Sequence, residues 1–363
     1  MAQVARPYRL WHKDMRHSSG TPAERARRSR PAETGAAGRI EASDAVVEAP
    51  VARALGAAGS VVLAVSGGRD SMALLRAAVN VVRAPLAAVA TFDHGTGAAA
   101  TAAVELVSAV CRAYDVPCVT ARAPAGTPPT EAAWRLARWR FLRAAAARRG
   151  ARVVTAHTRD DQLETLIIRI LRHAGARGLA GLDADGGVVR PWLAVHRAAV
   201  ADYAARHGVA YVDDPSNESR AFLRNRVRLD LLPALLRARP ALAAELLQVG
   251  QCAAKWRREV EHHVAAAHRA RVEADGLSIA ASELAHYDEA ALAIIWPVLA
   301  ARMGLALDRR GMARLAEFTL RGRPGGEIQL SGGVAVQRST FSFVLRRRGE
   351  ARRPGRAQPP ISR

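Results

Sequence analysis

The sequence has almost no lysine. Only Lys13 and Lys255 are present, so 52 of the 54 basic residues are arginine. Cysteine is also scarce, and the three that occur, Cys111, Cys118 and Cys252, form no CxxC pair. Their odd number and spacing disfavour a disulfide framework or a structural zinc site and favour a reducing compartment, which we take to be the cytoplasm. No apolar run approaches the roughly 20 residues that a membrane helix needs, which excludes a transmembrane protein.

Positive charge is what the sequence has in excess. Its 363 residues carry a formal net charge of +21, which indicates a polyanionic partner such as nucleic acid or an anionic lipid surface. Much of the excess lies in three stretches, at 131–152, 220–239 and 346–363. We interpret residues 1–45 as a flexible basic extension and residues 346–363 as a disordered basic tail.

Short apolar runs suited to buried strands alternate with helical patterns between residues 60 and 173. The predicted strands are 60–65, 87–92, 116–121 and 153–156, and the predicted helices are 72–82, 99–113, 130–149 and 160–173. This alternation predicts an α/β fold with a doubly wound parallel sheet, which binds its ligands beyond the carboxyl ends of the strands. From about residue 198 the pattern is mostly helical. Beyond Arg321, alternating residues around Gly332 and Gly333 predict a small C-terminal β segment.

The turn after the first predicted strand reads SGGRDS, from Ser66 to Ser71. Gly67 and Gly68 let the backbone approach an anion closely, and the start of the following helix offers unpaired N–H groups at the positive end of its dipole. Asp70 suits a phosphate-binding turn that also holds a divalent cation. The turn lacks the lysine of a Walker A loop and the glycine spacing of a dinucleotide fingerprint.

The turn after the fourth predicted strand reads HTRDDQLET, from His157 to Thr165. On a helix that begins near Asp160, the carboxylates of Asp161 and Glu164 share one face, so they can converge on a metal ion or on an ammonium group. The two aspartates also suit the positive end of the helix dipole.

Two further segments are candidates for the same site. The turn DHG at 93–95 follows the second predicted strand, and DPSN at 214–217 precedes a strongly basic helix. Between residues 220 and 239, six arginines accompany a single acid, Asp230. Arginine at this density suits a solvated face or the phosphates of a nucleic acid.

Together these motifs resemble the tRNA(Ile)-lysidine synthases of the PP-loop ATP pyrophosphatase superfamily. SGGRDSMALL is similar to the ATP loop of the family, and TAHTRDDQLETL, VVRPWL, VDDPSN and FLRNRVR are similar to its other signatures. The resemblance covers residues 61–233, roughly half the chain. It implies an adenine nucleotide alpha hydrolase-like PP-loop catalytic domain, which we place at 46–235, and a helical and C-terminal tRNA-binding region, which we place at 236–345.

The resemblance also implies a reaction. ATP, with Mg²⁺, adenylates the wobble cytidine of the isoleucine tRNA that has a CAU anticodon, and free L-lysine then replaces AMP at carbon 2 of the base. The product, lysidine, changes codon and amino-acid specificity from Met to Ile. The resemblance implies that ATP is bound by Ser66, Gly67, Gly68, Arg69, Asp70 and Ser71, with Mg²⁺ at Asp70. It implies a lysine site at Asp160, Asp161 and Glu164, and catalytic roles for Asp70, His157, Asp161 and Glu164. The implied tRNA-binding residues are Arg135, Arg138, Arg224, Asn225 and Arg228.

Three other functions are less consistent with the sequence. Thiolation of a tRNA cytidine commonly uses paired cysteines, whereas Cys111 and Cys118 are seven residues apart and Cys252 is remote. Adenylation of a small metabolite does not account for the arginine-rich helices. A non-catalytic RNA-binding protein is disfavoured because the charged residues of both turns are intact. The oligomeric state is open, a homodimer being one option.

Overall fold

A parallel five-stranded sheet lies at the centre of the first half of the chain. The computed structural model describes residues 33–81, 86–184, 186–213, 218–272 and 276–347. The strands are β1 (Val61–Ala64), β2 (Ala88–Asp93), β3 (Cys118–Arg122), β4 (Arg152–Val154) and β5 (Val188–Val189). Their order is β3-β2-β1-β4-β5, and all neighbours run parallel. The order reverses direction between β1 and β4, the position at which open α/β sheets bind ligands.

Helices cover both faces of this sheet. They are α1 (Glu33–Ala58), α2 (Arg69–Val81), α3 (Ala98–Ala113), α4 (Glu131–Ala147), α5 (Arg159–Leu171), α6 (Ala176–Leu179) and α7 (Arg197–Arg206), with a 3₁₀ turn at Gly181–Asp183. Successive side chains of β1 point to opposite faces. Leu63 is therefore buried in a core with α1, α2 and α7, whereas Val62 is buried in a second core with α4. Thr130 caps α4 as expected, because its hydroxyl accepts a hydrogen bond from the backbone N–H of Ala133 at 3.2 Å.

The second half of the chain builds a separate core. Its elements are α8 (Leu223–Arg226), a π-helical turn (Val227–Leu231), α9 (Leu232–Ala238), α10 (Leu242–Ala267), β6 (Arg271–Val272), β7 (Gly276–Ala280), α11 (Ala281–Leu284), α12 (Glu289–Ala301), α13 (Arg309–Arg321), β8 (Glu327–Leu330), β9 (Val334–Arg338) and β10 (Ser342–Arg347). The strands form an antiparallel sheet in the order β6-β7-β10-β9-β8. Trp296 is fully buried beneath it, and its indole N–H donates to the Thr319 hydroxyl at 2.8 Å. Helix α10 packs against α5 and α6 in the first half and against α12 in the second, and so connects the two cores.

The predicted fold class is confirmed, with differences at the ends of the chain. The prediction of a flexible extension up to residue 45 is wrong from Glu33 onward, because α1 begins at that residue. This helix is held at its carboxyl half: the indole N–H of Trp192 donates to the Val47 carbonyl at 2.9 Å, and the hydroxyl of Tyr203 donates to Glu48 at 2.7 Å. The tail predicted to be disordered from residue 346 begins two residues too early, since β10 extends through Arg347.

The structure differs in detail from some other predictions, and some predicted segments lie outside the described residues. The two-residue strand β5 was not predicted, because it is too short to show a pattern. The region predicted to be mostly helical also contains β6 and β7, so the C-terminal sheet has five strands where the sequence predicted a hairpin or small sheet. Residues 1–32, the DPSN motif at 214–217 and residues 348–363 lie outside the described part of the chain. No helix in the described ranges is both long and apolar enough to span a bilayer.

Candidate active site

The SGGRDS turn joins β1 to α2 at the carboxyl edge of the sheet, where the strand order reverses. Its backbone is closed by Ser71, whose hydroxyl donates to the Gly68 carbonyl at 2.8 Å and accepts from the backbone N–H of Ser66 at 3.1 Å. Gly67 has a φ of +84°, in the left-handed region that favours glycine. A Cβ at this position would lie 2.7 Å from the Cβ of Ala103 on α3. The turn therefore packs directly against a neighbouring helix and admits no side chain at residue 67.

Asp70 stands in the first turn of α2 with 26% of its side chain exposed. Its carboxylate lies 3.3 Å from Nε of Arg69 and 3.5 Å from Nε of Arg197. Burial raises the pKa of Asp70 despite these two guanidinium groups. The described residues include no group of three or more His, Cys, Asp or Glu side chains placed to hold a metal ion. Since Mg²⁺ is usually bound through one or two carboxylates together with substrate phosphates and water, Asp70 fits this ion as one ligand among phosphate oxygens.

Asp161 is fixed by the way α5 begins. Thr158 is the N-cap residue, and its backbone N–H and hydroxyl donate to Oδ2 of Asp161 at 2.9 and 2.8 Å. This capping box uses one carboxylate oxygen and leaves Oδ1 facing away from the helix end. Burial alone would raise the pKa of Asp161. Arg197, Arg224 and the hydrogen bond from the Thr158 backbone outweigh that effect and lower the pKa to about 2.

Asp161 and Glu164 meet three arginine side chains in one buried cluster. Arg197 from α7 donates to Asp161 at 2.8 Å and to Glu164 at 3.0 Å. Arg224 from α8 makes the same pair of contacts at 3.0 and 2.9 Å. Arg228 in the π-helical turn lies 2.7 Å from Glu164 and 3.6 Å from Asp161. We call these five residues together with Asp70 the carboxylate–arginine cluster.

Arg197 is the residue of this cluster that the sequence did not predict. It contacts Asp70 as well as Asp161 and Glu164, so it connects the SGGRDS turn to α5. Burial opposes its charge, but Asp161 and Glu164 raise the pKa of Arg197 above its ordinary value. One local signal was available: a cation in the first turn of a helix is unfavourable to the helix dipole, so Arg197 needs compensation from elsewhere in the fold.

Asp160 and His157 lie beside the cluster. Asp160 accepts a hydrogen bond from the backbone N–H of Arg197 at 2.8 Å, so its carboxylate stands at the amino end of α7 and is not joined to Asp161 or Glu164. His157 is hydrogen-bonded through Nδ1 to the hydroxyl of Thr155 at 2.8 Å. Burial lowers the pKa of His157 to about 4, and nearby arginines add to this effect. The imidazole is therefore neutral near pH 7.

A cleft of about 590 Å³ connects these groups. Its wall includes the SGGRDS turn except Gly67, the aromatic rings of Phe92, His94 and Trp139, and side chains of His157, Asp161, Arg138, Arg197 and Arg228. The DHG turn is shaped by Asp93, which accepts from the backbone N–H of Gly95 at 2.7 Å and places His94 at the cleft. The structure thus brings three of the four predicted segments together around one space.

The arginines predicted to bind tRNA fall into two sets. Arg224 and Arg228 are bonded to carboxylates within the protein, whereas Arg135 and Arg138 on α4 have no acidic partner within ion-pair distance among the described residues. The Nε of Arg138 is buried without a hydrogen bond in that part of the chain. Partial burial, then repulsion from Arg135 and Arg224, lowers the pKa of Arg138. Asn225 is buried and its amide donates to the Ser219 carbonyl at 2.9 Å, which positions the start of α8.

Comparison with known proteins places this geometry in a family. A PP-loop domain family matches residues 44–235. A tRNA(Ile)-lysidine synthase of Methylobacterium nodulans is 36% identical over 270 residues, which cover 72% of each chain. The chain belongs to the tRNA(Ile)-lysidine synthase family of PP-loop proteins.

Two other matches show how much of the chain is similar to known proteins. The tRNA(Ile)-lysidine synthase of Rhodopseudomonas palustris is 42% identical over 191 residues, 49% of this chain and 55% of that protein. The chain thus spans about half the length of this relative. The solved structure of a U34-tRNA thiolase from Methanococcus maripaludis matches 60% of this chain and 80% of that chain, with a TM-score of 0.49 and 12% identity. A match at this level says nothing about activity.

Replacing Gly67 with alanine should destabilise this lysidine synthase family member, and replacing Gly68 should not. At residue 67 the new Cβ is both strained by the positive φ and in collision with Ala103, which we expect to cost about 2 kcal/mol. At residue 68 the nearest atom is Oγ of Ser66 at 3.7 Å, an ordinary contact, so a change of about 0.5 kcal/mol or less is expected. Chemical denaturation of both variants measures the difference. Equal stabilities would contradict the packing assigned to Gly67.

The low pKa of His157 predicts how stability depends on pH. The unfolded chain binds a proton at His157 below its ordinary pKa of 6.5, while the folded protein takes it up only near pH 4. The free energy of unfolding should therefore fall as the pH is lowered from about 6.5 to 4, and Asp161 should add a further loss below 3.8. The variant His157→Asn should flatten the first part of this curve, whereas His263→Asn, on the exposed face of α10, should leave it unchanged.

Proposed function

We propose that this protein is an ATP-dependent tRNA(Ile)-lysidine synthetase. ATP adenylates the oxygen on carbon 2 of the wobble cytidine of an isoleucine tRNA with a CAU anticodon, and pyrophosphate leaves. The ε-amine of free L-lysine then forms a bond to carbon 2, AMP leaves, and lysidine remains. The observation that carries this proposal is one cleft lined by both the SGGRDS turn and Asp161, whose carboxylate shares its arginine partners with the buried carboxylate of Glu164.

In the first half-reaction the SGGRDS turn holds the phosphates of ATP. Gly68 lines the cleft beside Ser66 and the amino end of α2, so the turn offers backbone and hydroxyl donors to an anion with no side chain at residue 68 in the way. Asp70 would hold Mg²⁺ together with phosphate oxygens. The ion would neutralise the charge that develops on the departing pyrophosphate. Arg69 lies next to Asp70 and adds positive charge at the same place.

In the second half-reaction Asp161 and Glu164 bind the side chain of lysine. An ammonium group that leaves water needs acidic partners, and these two carboxylates are buried close to the cleft. One of them accepts the proton that the amine must lose before it attacks. His157 is neutral and faces the same cleft, so it can contact ATP or the adenylated base without adding charge. Asp160 has less support for a role in lysine binding, because it is turned toward α7.

The tRNA is assigned to the arginine-rich surface around the cleft and to the region 236–345. Arg135 and Arg138 favour this assignment most, because they lack ion-pair partners in the described part of the chain and stand next to the site. Guanidinium groups with no carboxylate to satisfy them are good ligands for RNA phosphates. We place the reaction in the cytoplasm, with ATP, lysine and tRNA as substrates, and leave the number of subunits open.

Thiolation of the tRNA is the main alternative within the PP-loop enzymes, and the position of the cysteines disfavours it. Cys118 begins β3 and Cys111 lies near the end of α3, so both stand at the amino end of the sheet, opposite the cleft. Cys252 is exposed on α10. No cysteine lines the cleft in the described ranges. A sulfur-transfer enzyme would need a thiol or a cluster close to the adenylated base.

Purified protein, ATP, radiolabelled lysine and a transcript of the isoleucine tRNA test the proposal directly. We expect lysine to enter the RNA in the absence of any sulfur donor, with one pyrophosphate released per lysine. The matched control is the same transcript with uridine in place of the wobble cytidine, which should incorporate none. Failure of the cytidine transcript to gain lysine while it binds the protein would contradict the proposed function.

Asp70→Asn should remove the first half-reaction. The amide is a far weaker ligand for Mg²⁺ than the carboxylate, so we expect the rate of pyrophosphate release to fall by about a hundredfold or more. The measurement is pyrophosphate release with tRNA and ATP at saturating concentration. Asp202→Asn, in the body of α7, serves as a control for the loss of one acidic group. An unchanged rate for Asp70→Asn would exclude the metal role.

Glu164→Gln should act on lysine rather than on ATP. Loss of the charge removes one of the two partners proposed for the ammonium group, so the KM for lysine should rise about tenfold or more. The KM for ATP should change much less, since the SGGRDS turn is intact. Steady-state kinetics with each substrate varied in turn separate these effects, and Glu317→Gln on the exposed face of α13 is the control. An unaltered KM for lysine argues against the assignment of Glu164.

A further inference from the structure

The carboxylates proposed to bind lysine are already occupied by arginine side chains of the protein. Asp161 and Glu164 together accept contacts from Arg197, Arg224 and Arg228, all between 2.7 and 3.6 Å. The Glu164 side chain is only 1% exposed. In this arrangement no carboxylate oxygen of Glu164 is available to a fourth cation.

The carboxylate–arginine cluster has no excess of negative charge. Its three carboxylates face three guanidinium groups, and Arg69 places a fourth guanidinium beside Asp70. An ammonium group that entered would therefore add an uncompensated positive charge beside three arginines, in a site largely removed from water. Burial of an unpaired charge is strongly unfavourable. Lysine can bind here at low cost only if one or more of the arginines moves away.

The three arginines are not held equally. Arg197 is on the ten-residue helix α7, which packs against α1 and α2, and its side chain is also bonded to Asp70. Its side chain is 18% exposed. Arg224 and Arg228 are 29% exposed and stand on the four-residue helix α8 and the π-helical turn that follows. π-Helical turns of this kind are frequent at functional sites. Arg224 and Arg228 are thus the arginines able to leave.

An alternative position for the Arg224 side chain lies next to the carboxylate–arginine cluster, beside α4. Burial and, to a smaller extent, repulsion from Arg224 lower the pKa of both Arg135 and Arg138 on α4. The buried Nε of Arg138 has no hydrogen-bond partner among the described residues. A phosphate group bound between Arg138 and Arg224 would satisfy this donor, relieve the repulsion and compete with Asp161 and Glu164 for Arg224.

We propose that lysine binds at Asp161 and Glu164 only after a phosphate group has drawn Arg224 and Arg228 away from these carboxylates. Arg197 then remains as the fixed counter-ion of the site. This inference rests on the proposed function, because it takes lysine and a phosphate-bearing substrate as ligands. The coupling makes lysine bind after the substrate that supplies this phosphate, whether that substrate is ATP or tRNA.

Equilibrium dialysis of radiolabelled lysine against the full-length protein tests this coupling. Lysine affinity is measured for the protein alone, with the tRNA transcript, with an ATP analogue bridged by methylene between its α and β phosphorus atoms, and with both. We expect lysine to bind at least about tenfold more tightly when the effective phosphate is present. The arm that produces the increase identifies whether the tRNA or the nucleotide supplies that phosphate. Equal lysine affinity in all four conditions would overturn the proposal.

A pair of double variants separates this mechanism from a general effect of charge. Arg224→Gln with Arg228→Gln should let lysine bind to the free protein as tightly as it binds to the wild-type complex, with no further gain from tRNA or nucleotide. Arg220→Gln with Arg239→Gln removes two exposed arginines from the same region, both paired outside the cluster, and should leave the tenfold coupling intact. Loss of coupling in both double variants would contradict the assignment to Arg224 and Arg228.

The experiments distinguish a failure of the proposed coupling from a failure of the proposed function. If the complete assay incorporates lysine while lysine affinity is the same in all arms, the function stands and the coupling is wrong. If no lysine enters the RNA, the function itself is wrong. The four measurements on the unmodified protein decide the question even where a variant does not fold.

Discussion

The contact of Arg197 with three carboxylates is the interaction on which the site depends. Asp70 comes from the turn after β1, and Asp161 and Glu164 come from the helix after β4. These two elements follow the neighbouring strands β1 and β4, and in the described part of the chain no backbone hydrogen bond joins residues 66–71 to residues 158–164. Arg197 supplies that connection from a third element, α7. The backbone N–H of the same residue also holds Asp160.

Such a cluster is costly to assemble, and the fold offsets the cost in a specific way. Each buried charge loses its hydration, which an ion pair recovers only with good geometry and further hydrogen bonds. Asp161 obtains these from the capping box of α5, which uses the oxygen that the arginines do not reach. Glu164 obtains them from three guanidinium groups that approach from two sides. Asp161 and Glu164 each contact all three arginines, so the loss of one arginine still leaves both carboxylates paired.

The sequence allowed most of the first half of the fold to be predicted, because its signals are local. The SGGRDS turn, the strand before it and the cap at Thr158 are all recognisable within a few residues, and Asp161 and Glu164 were correctly placed on one face of α5. The partners of these carboxylates were not predictable in the same way. Arg197 and Arg224 are 33 to 63 residues away in the chain, and no spacing rule connects them to α5. The arginines at 224 and 228 were predicted to bind tRNA, because a basic segment gives no sign of a buried acid elsewhere in the chain.

The composition of the chain fits the chemistry of this cluster. Guanidinium and ammonium groups carry the same charge, but only the planar guanidinium can donate two parallel hydrogen bonds to a carboxylate, and it does the same to a phosphate. An arginine can therefore exchange one partner for the other with little loss of bonding, whereas a lysine in its place would occupy the site as the substrate itself does. Arg228 donates in this way to both oxygens of Glu164, at 2.7 and 3.2 Å, whereas Arg224 divides its two donors between Glu164 and Asp161. The excess of arginine first indicated a polyanionic partner. Its position next to the paired carboxylates makes the same side chains the counter-ions of the proposed lysine site and, in the binding order that we propose, ligands for the phosphates that precede lysine.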